Sequence, residues 1–435
     1  MTPEENDLLC RVEGDAPMGQ LMRRHWLPIC MIEEVAEPDG TPLRVRIVGE
    51  DLVVFRDSSG RLGVLEEYCA HRGASLVYGR NEQGGLRCLY HGWKFDVEGN
   101  VLEMASEPAQ SRLVERIGDK ISQRAYPVRE SGGFVWTYLG PPDSMPEFHP
   151  PAWAPTPQAK VSIVKMHVAA NWAQTLEGGI DSAHSSSLHS TEMPPAQVGR
   201  AEATDKSWLR PSEDKAPRLQ VERTNYGFRY AAIRKPIRDP ETHDYVRVTV
   251  FIAPFTALIP PNNVYNVAQM NVPLDDTNTW FYFLAWADPS EKRGPGIDQA
   301  EWRRFCAAEP GVDVDANWRK RRNRDNQYLQ DREAMKRGDF TGIKGIPTQD
   351  MAMWESMGTI RKRTTDRLGT SDAAIGQFRR QMLDAVRRFQ ESGKVIGLEE
   401  PRTQPSSVKS YEGILPKTTD WRSLGTTEPE TAPLA

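Results

Sequence analysis

Hydrophobic and polar residues alternate along the first third of the chain with the period of two that is typical of β-strands. The apolar positions Val45, Ile47 and Leu52 are separated by polar residues, and Asp-Ser-Ser-Gly at 57–60 predicts a hairpin turn. Short strands and turns continue up to a proline-rich stretch at residues 140–157. This stretch predicts a boundary between two domains.

The second part of the chain mixes strand and helix patterns. Residues 226–233, 245–252 and 280–286 are rich in aromatic and β-branched side chains, which predicts strands. From about residue 297 the chain becomes helical and charged, and apolar residues recur at helical spacing within 378–389. About 30 residues at the C-terminal end are rich in Thr, Pro, Ser and Glu, so we expect loose packing there.

These patterns divide the chain into four regions. Residues 1–40 form an N-terminal helical segment, residues 41–145 a small all-β domain, residues 146–400 a larger mixed domain, and residues 401–435 a C-terminal tail. The sequence therefore predicts an α+β protein in which a small all-β domain precedes a larger one.

Composition argues against several classes of protein. The 435 residues carry a formal net charge of -5, with a pI of about 6.0, which gives no basis for binding nucleic acid or an anionic membrane. No apolar run approaches the roughly 20 residues of a membrane span. The N-terminus is acidic and lacks the basic start and apolar stretch of a signal peptide. We therefore expect a cytoplasmic protein that binds neither nucleic acid nor membranes.

Cysteine and histidine residues form the first candidate site. The five cysteines are too sparse for a disulfide framework, but Cys69 and His71 are followed, after sixteen residues, by Cys88 and His91. Each half of the motif combines a thiolate with an imidazole, whereas zinc fingers usually pair like with like. Mixed pairs suit a two-iron cluster, with both cysteines on one iron and both histidines on the other, because imidazole removes negative charge and raises the reduction potential.

A second candidate site lies in the larger domain. Asp181 and His184 are three residues apart and would share a helical face. His189 is five residues further on, which on an ideal helix is roughly 140° from the direction of His184. For both imidazoles to bind one metal, the helix must be distorted or end between them, and the serines at 185–187 are the expected weak point. Two histidines and a carboxylate would form the facial triad of a non-haem Fe(II) oxygenase.

The two motifs together resemble those of the Rieske non-haem iron oxygenases. The first motif, with Gly92-Trp93 after it, resembles the Rieske motif, and the second resembles the mononuclear-iron motif. The similarity covers roughly residues 15–395 and is nearest to the phthalate dioxygenase branch. It implies a 2Fe–2S cluster in the small domain and a helix-grip-like catalytic domain, with a central antiparallel sheet flanked by helices.

The resemblance also implies the ligands of the mononuclear Fe(II). His184 and His189 match the two histidine ligands, and Asp350 matches the third ligand because it lies in a Gln-Asp-x-x-x-x-Glu context. Asp331 and Asp339 lie nearby but lack that context.

Asp181 is implied as a coupling residue rather than an iron ligand. In the family, the matching aspartate links a histidine ligand of one subunit's cluster to a histidine ligand of the neighbouring subunit's iron. The resemblance therefore implies a trimer or stacked trimers. No G-x-G-x-x-G fingerprint is present, so a separate NADH-dependent flavin and iron–sulfur reductase is the expected electron donor.

An aromatic carboxylate is the substrate that the resemblance implies. The guanidinium fork of arginine suits a planar carboxylate best. Among the eight arginines between 200 and 247, Arg247 stands out because the strand pattern places it on the face opposite a row of valines. This face lines a pocket or meets water. Arg210, Arg247 and Ser182 also fall where phthalate-type relatives hold their substrate.

Several alternatives stay open at this point. The same scaffold supports monooxygenases and O-demethylases, which the metal motifs cannot separate from dioxygenases. A pure electron-transfer Rieske protein and a zinc-stabilised binding protein are rivals from other classes. The length and the second metal motif argue against the first, and visible Rieske absorption would exclude the second. Phthalate is the preferred substrate for ring cis-dihydroxylation with O2; isophthalate, a chlorobenzoate or a phenoxybenzoate are alternatives.

Overall fold

The computed structural model describes residues 1–114, 121–195, 209–261, 265–291 and 294–425. The chain divides into two compact units, of which the smaller comprises Val12–Phe148. The larger comprises Met1–Arg11 and His149–Ala435, so helix α1 (Pro3–Cys10) belongs to it. No helix in these described ranges is long and apolar enough to cross a membrane.

In its described residues, the smaller unit contains three antiparallel sheets, one short α-helix and several 3-10 turns. The strand orders are β1-β10-β9, β2-β3-β4 and β5-β6-β7-β8. The elements are α2 (Pro17–Met22), β1 (Trp26–Met31), β2 (Leu43–Ile47), β3 (Glu50–Arg56), β4 (Leu62–Glu66), β5 (Arg80–Glu82), β6 (Gly85–Arg87), β7 (Trp93–Phe95), β8 (Val101–Met104), β9 (Val128–Ser131) and β10 (Phe134–Tyr138).

The larger unit is built on one antiparallel eight-stranded sheet. Its order is β11-β17-β16-β15-β14-β13-β12, and β18 also pairs with β14. The elements are β11 (Lys160–Val168), α3 (Trp172–Gly179), β12 (Arg218–Thr224), β13 (Gly227–Arg234), β14 (His243–Ile252), β15 (Thr256–Ile259), β16 (Asn266–Pro273), β17 (Thr279–Ala287), α4 (Gln299–Phe305), α5 (Arg332–Lys336), α6 (Ile346–Ser356), α7 (Ala373–Ser392) and β18 (Tyr411–Pro416). An all-β unit followed by a helix-flanked antiparallel sheet confirms the predicted fold class.

Helix α7 covers part of the sheet with its apolar stripe. Phe378, Met382 and Val386 are buried on this helix, as their helical spacing predicts. The Phe378 ring meets Phe251 of β14 edge-on, with ring centroids 5.3 Å apart. The helix ends at Gly393, whose φ of 71° gives the left-handed cap that favours glycine.

Both ends of the predicted domain division differ from the structure. The region 1–40, predicted as a helical segment, also contains strand β1, which pairs with β10. The pairing is interrupted between Pro28 and Cys30, and this irregularity explains why β1 has no clear strand pattern in the sequence. Within the region 401–435, β18 pairs with β14, and Trp421 is buried. The described part of this region is therefore folded onto the sheet. The prediction of loose packing was wrong here because a six-residue strand among Thr, Ser and Pro gives little signal in the sequence.

Candidate metal centres and adjoining cavity

Two loops of the same construction carry the cysteine and histidine motif in the smaller unit. In the first loop, the Cys69 N–H donates to the Ala74 carbonyl and the Gly73 N–H donates to the Cys69 carbonyl. In the second, the Cys88 N–H donates to the Trp93 carbonyl and the Gly92 N–H to the Cys88 carbonyl. Each glycine has a φ near 70°, with 71° for Gly73 and 73° for Gly92, so the two tight turns depend on glycine.

The loops place the two thiols inside the unit and the two imidazoles nearer its surface. Cys69 and Cys88 are buried, whereas His71 and His91 are partly exposed, with ring centroids 4.5 Å apart. Burial raises the pKa of Cys69 to about 11, although N–H donors of the same loop oppose this shift. Two sulfur and two nitrogen donors on paired loops fit a Rieske cluster better than a zinc finger.

The second motif does not lie on a regular helix. Helix α3 ends at Gly179, and a single 3-10 turn, His184–Ser186, follows. The helix therefore ends before both histidines and not at the serines 185–187, where the break was expected, and His184 and His189 meet outside helical geometry. Asp181 lies in the connection, where its Oδ1 accepts the Ala183 N–H at 2.8 Å and the His184 N–H at 3.2 Å.

His184, His189 and Asp350 converge although Asp350 comes from helix α6, far along the chain. The two Nε2 atoms are 3.2 Å apart, and Asp350 Oδ1 lies 3.4 Å from His184 Nε2 and 3.0 Å from His189 Nε2. Donors that bind one metal at about 2.1 Å and at right angles are about 3.0 Å apart. The donor set therefore fits one face of an Fe(II) coordination sphere.

Electrostatics at this centre favour a cation. Burial alone would raise the pKa of Asp350, but His189 and His184 lower it to about 2. Burial opposes charge on His184 too, yet Asp181 and Asp350 raise its pKa to about 10. The Oδ2 atom of Asp181 lies 3.7 Å from His184 Nδ1, on the side of the ring away from Asp350. Carboxylates on both sides of an imidazole stabilise positive charge there, whether a proton or a metal ion carries it.

A cavity adjoins the three side chains. It contains about 700 Å³ of space free of protein atoms, counted to its open mouth. The walls are largely apolar, with Phe281 and Phe283 among them. Polar groups reach it from His184, Ser182, Thr249, Arg247 and Gln269. An apolar cleft with a few polar groups is typical of a small-molecule site.

Buried arginines gather beside this cavity. Arg247 lines it and is 5% exposed, and its Nε lies 3.5 Å from the Glu412 carboxylate of β18. Burial and the charge of Arg247 both lower the pKa of Arg210 and of Arg234. The three guanidinium groups are thus close enough to repel one another, which indicates an excess of buried positive charge.

The structure places the predicted substrate residues at different distances from the cavity. Arg247 and Ser182 line it, and Ser182 Oγ is 3.0 Å from the Tyr230 hydroxyl. Arg210 lies behind the wall, where it donates to Ser186 Oγ at 2.9 Å and to the Ser185 carbonyl at 2.9 Å. Arg210 therefore supports the segment that carries His184.

Sequence reasoning missed four residues of this region. Arg234 donates to the Ser182 carbonyl at 2.7 Å, Glu412 pairs with Arg247, and Gln349 contacts His189. The fourth, Gln269, is buried, and its amide nitrogen has no hydrogen-bond partner among the described residues. Only Gln349 had a usable signal, because it directly precedes Asp350.

A buried ion pair holds helix α6, and with it Asp350, in place. Lys320 Nζ lies 2.8 Å from Glu355 Oε1, and the two side chains are only 5% and 6% exposed. Glu355 also accepts the Ala169 N–H at 3.0 Å and the Tyr328 hydroxyl. Removing Lys320 would leave a buried carboxylate without its counter-charge.

We expect Lys320→Met to lower the free energy of unfolding by about 3–5 kcal/mol, the usual effect of breaking a buried pair. Urea denaturation measures this loss. Lys336→Met is the matched control, because its pair with Glu333 is exposed, and we expect a change within about 0.5 kcal/mol. Equal stability of the two variants would show that the buried pair does not hold the helix.

Family models match both parts of the chain. The model described as "Rieske [2Fe-2S] domain" matches residues 25–118. The model described as "LigXa C-terminal domain like" matches residues 137–435. The two matches cover the region of the cysteine and histidine loops and the region of the second centre.

Whole-length relatives and a solved structure agree with these matches. The chain is 61% identical to the phthalate 4,5-dioxygenase oxygenase subunit of Pseudomonas putida, over 97% of this chain and 94% of that protein. It is 34% identical to the 3-chlorobenzoate-3,4-dioxygenase oxygenase subunit of Comamonas testosteroni, over 97% and 96%. A caffeine-bound NdmA mutant of Pseudomonas putida CBB5 shares the fold, with a TM-score of 0.57, 18% identity and coverage of 86% and 94%.

Proposed function

The chain belongs to the Rieske non-haem iron oxygenases, and we propose that it is the oxygenase component of a dioxygenase system that cis-dihydroxylates phthalate. The observation that carries this proposal is the triangle of His184, His189 and Asp350 beside a cavity lined by the buried Arg247. The 61% identity to a phthalate 4,5-dioxygenase oxygenase subunit supports the choice of substrate.

Two metal centres belong to this function. Cys69, Cys88, His71 and His91 would hold the 2Fe–2S cluster, and the triangle would hold the mononuclear Fe(II). The cluster supplies single electrons, and the iron, with positions free for O2, supplies the oxidising chemistry. The protein's own contribution is to position the substrate and to restrict access to the centre.

The buried arginines select a dianion. Arg210, Arg234 and Arg247 carry three positive charges, and Glu412 pairs with one of them. Asp214 acts on Arg234 as well, but more weakly than the neighbouring arginine does. The excess positive charge is offset best by a ligand with two carboxylates, because a buried charge needs a partner. Phthalate has this charge and an aromatic ring that suits the walls formed by Phe281 and Phe283.

Substrate contact would come from Arg247 and Ser182 on the cavity wall, with Arg210 adding charge from behind. The Arg247 guanidinium offers a planar pair of donors to a carboxylate. Ser182 is two residues before His184, so a carboxylate held there keeps the ring close to the iron ligands. The arrangement would orient one edge of the ring toward the metal.

Electron supply would involve other subunits and a partner protein. Asp181, beside His184, would couple the iron to a cluster of a neighbouring subunit in a trimer or stacked trimers. Apolar side chains are exposed at the cluster loops: Tyr68 is 47% exposed, Leu89 59% and Tyr90 60%. Such an apolar surface supports docking of a partner protein there. A separate cytoplasmic reductase that oxidises NADH would reduce the cluster.

Arg247→Gln tests how the substrate is anchored. We expect kcat/KM for phthalate to fall by roughly 100-fold, because losing one partner of a buried charge pair costs about 2–5 kcal/mol. Steady-state oxygen uptake with phthalate and with its neutral dimethyl ester measures the effect. Arg223→Gln, on an exposed pair with Asp384, is the control and should behave as wild type. The same loss with both substrates would remove the anchoring role of Arg247.

A further inference from the structure

His189 is held from behind by a buried amide. Its Nδ1 lies 2.7 Å from Gln349 Oε1, on the opposite side of the ring from the Nε2 that faces Asp350. His189 is 3% exposed and Gln349 is fully buried. Neither side chain can turn without leaving this hydrogen bond unsatisfied inside the protein.

The surroundings of Gln349 determine which end of its amide faces the histidine. The Nε2 atom lies 2.6 Å from Glu192 Oε1, 2.8 Å from the Ile343 carbonyl and 3.1 Å from Thr341 Oγ1. A carboxylate and a carbonyl only accept hydrogen bonds. An amide oxygen in that position would face two acceptors, so the nitrogen must lie there and the oxygen must face His189.

The orientation of the amide in turn fixes the tautomer of His189. Because Gln349 Oε1 accepts, His189 Nδ1 must carry a hydrogen, and in the neutral ring Nε2 then has a free lone pair. That lone pair points toward His184 Nε2 and Asp350 Oδ1, at 3.2 and 3.0 Å. Only this tautomer lets neutral His189 bind a metal at the shared position.

Helix α6 supplies both the carboxylate of the triangle and the amide behind the imidazole. Gln349 and Asp350 are consecutive, so their side chains leave the helix roughly 100° apart. One reaches the shared position directly, and the other reaches the far side of the His189 ring. A shift of this helix would therefore move two of the three donors together.

We propose that Gln349 is a positioning residue that locks His189 in its metal-binding tautomer and relays the negative charge of Glu192 to it, which tightens Fe(II) binding. The inference rests on the proposed role of His189 as an iron ligand. Hydrogen bonds from a ligand histidine to a carboxylate or carbonyl orient the ring and raise its basicity. Here the Gln349 amide connects His189 to the carboxylate of Glu192, which His189 does not contact directly.

His184 differs in this respect, which gives the relay a specific effect. Its Nδ1 is buried and has no hydrogen-bond partner among the described residues, and the nearest carboxylate oxygen, Asp181 Oδ2, is 3.7 Å away. Only His189 therefore has a short hydrogen bond that fixes its tautomer. Loss of Gln349 should affect the binding of Fe(II) through one ligand while the other two keep their surroundings.

The test is Fe(II) affinity of the full-length protein with its cluster in place, measured by chelator competition after the mononuclear iron has been removed. We expect Gln349→Met to weaken Fe(II) binding by about 10–100-fold, the usual effect of removing a group behind a metal ligand. Gln174→Met is the matched control. Gln174 is a buried glutamine that donates to the Trp354 and Gly358 carbonyls and has no hydrogen bond to the triangle among the described residues, so the Fe(II) affinity of this variant should stay at the wild-type value.

Charge relocation separates the relay from simple packing. Gln349→Glu leaves a carboxylate oxygen facing both Glu192 and the Ile343 carbonyl and should weaken Fe(II) binding. The double variant Glu192→Gln with Gln349→Glu puts a donor opposite the new carboxylate, leaves only the Ile343 carbonyl opposed, and should regain part of the affinity. Nitric oxide bound to the mononuclear Fe(II) gives an electron paramagnetic resonance signal that reports on the iron ligands. We expect its line shape to change in Gln349→Met and to return toward that of the wild type in the double variant.

Two outcomes would overturn the proposal. One is wild-type Fe(II) affinity in Gln349→Met, and the other is a loss no larger than that of Gln174→Met together with no rescue in the double variant. Failure of the iron-site assignment is distinguishable, because Asp350→Ala would then also bind Fe(II) as the wild type does.

Discussion

Asp350→Ala is expected to lose the mononuclear iron and to reduce product formation at least about 100-fold, since even residues behind a metal ligand change activity by about 10–100-fold. Asp350 contributes the carboxylate of the triangle, 3.0 Å from His189 Nε2 and 3.4 Å from His184 Nε2. Without it, two neutral imidazoles would have to hold Fe(II) alone. The visible spectrum of the cluster should not change, because its candidate ligands lie in the other unit.

Iron analysis and the visible spectrum of the purified variant measure both effects. Asp331→Ala is the matched control from the same part of the chain. Asp331 caps helix α5, where it accepts the Ala334 N–H at 2.8 Å, so its loss should cost about 1 kcal/mol of stability and no iron. Full iron content and turnover in Asp350→Ala would mean that another residue is the third ligand.

Asp181→Asn is expected to keep both metal centres and to lose the electronic coupling between them. The amide can still accept the Ala183 and His184 N–H groups through its oxygen, so the local turn should be preserved. It loses the charge beside His184 Nδ1. We expect the rate at which a reduced cluster is oxidised, with phthalate and O2 present, to fall about 10–100-fold.

Stopped-flow absorption of the reduced protein follows this oxidation directly. Asp384→Asn, on the exposed face of α7, is the control and should react at the wild-type rate, because its only described ion pair is with the exposed Arg223. Normal cluster oxidation in Asp181→Asn would remove its coupling role, and loss of iron would show that Asp181 acts on the ligand His184 instead.

The candidate metal centres stand out in the sequence because their residues are chemically rare. The chain has eight histidines and five cysteines, so two Cys–His pairs and a His–His spacing of five are informative. The strand around Arg247 was also predictable as a strand, but not its full burial. The valine face of this strand is covered by Trp421 and Leu424, which lie more than 150 residues further along the chain.

The surroundings of the site could not be predicted, because they come from long-range contacts between common residue types. Glu412 reaches Arg247 only because β18 joins the sheet. Glu192 and Gln349 are 157 positions apart, and although Gln349 directly precedes Asp350, nothing in the sequence connects it with Glu192. The departure of His184 and His189 from helical geometry was required by their shared chemistry, but the close packing at Gly179, where α3 ends before both of them, could not be predicted. A Cβ at Gly179 would lie 1.8 Å from Gln269 Nε2.

The most direct test of the dioxygenase assignment is product analysis by mass spectrometry. Purified protein would be incubated with phthalate, NADH, a phthalate-type reductase and isotopically labelled O2. We predict a product heavier than phthalate by two oxygen and two hydrogen atoms, with both new oxygens labelled. A product with one new oxygen, or NADH consumption that yields only peroxide from phthalate, would contradict the account.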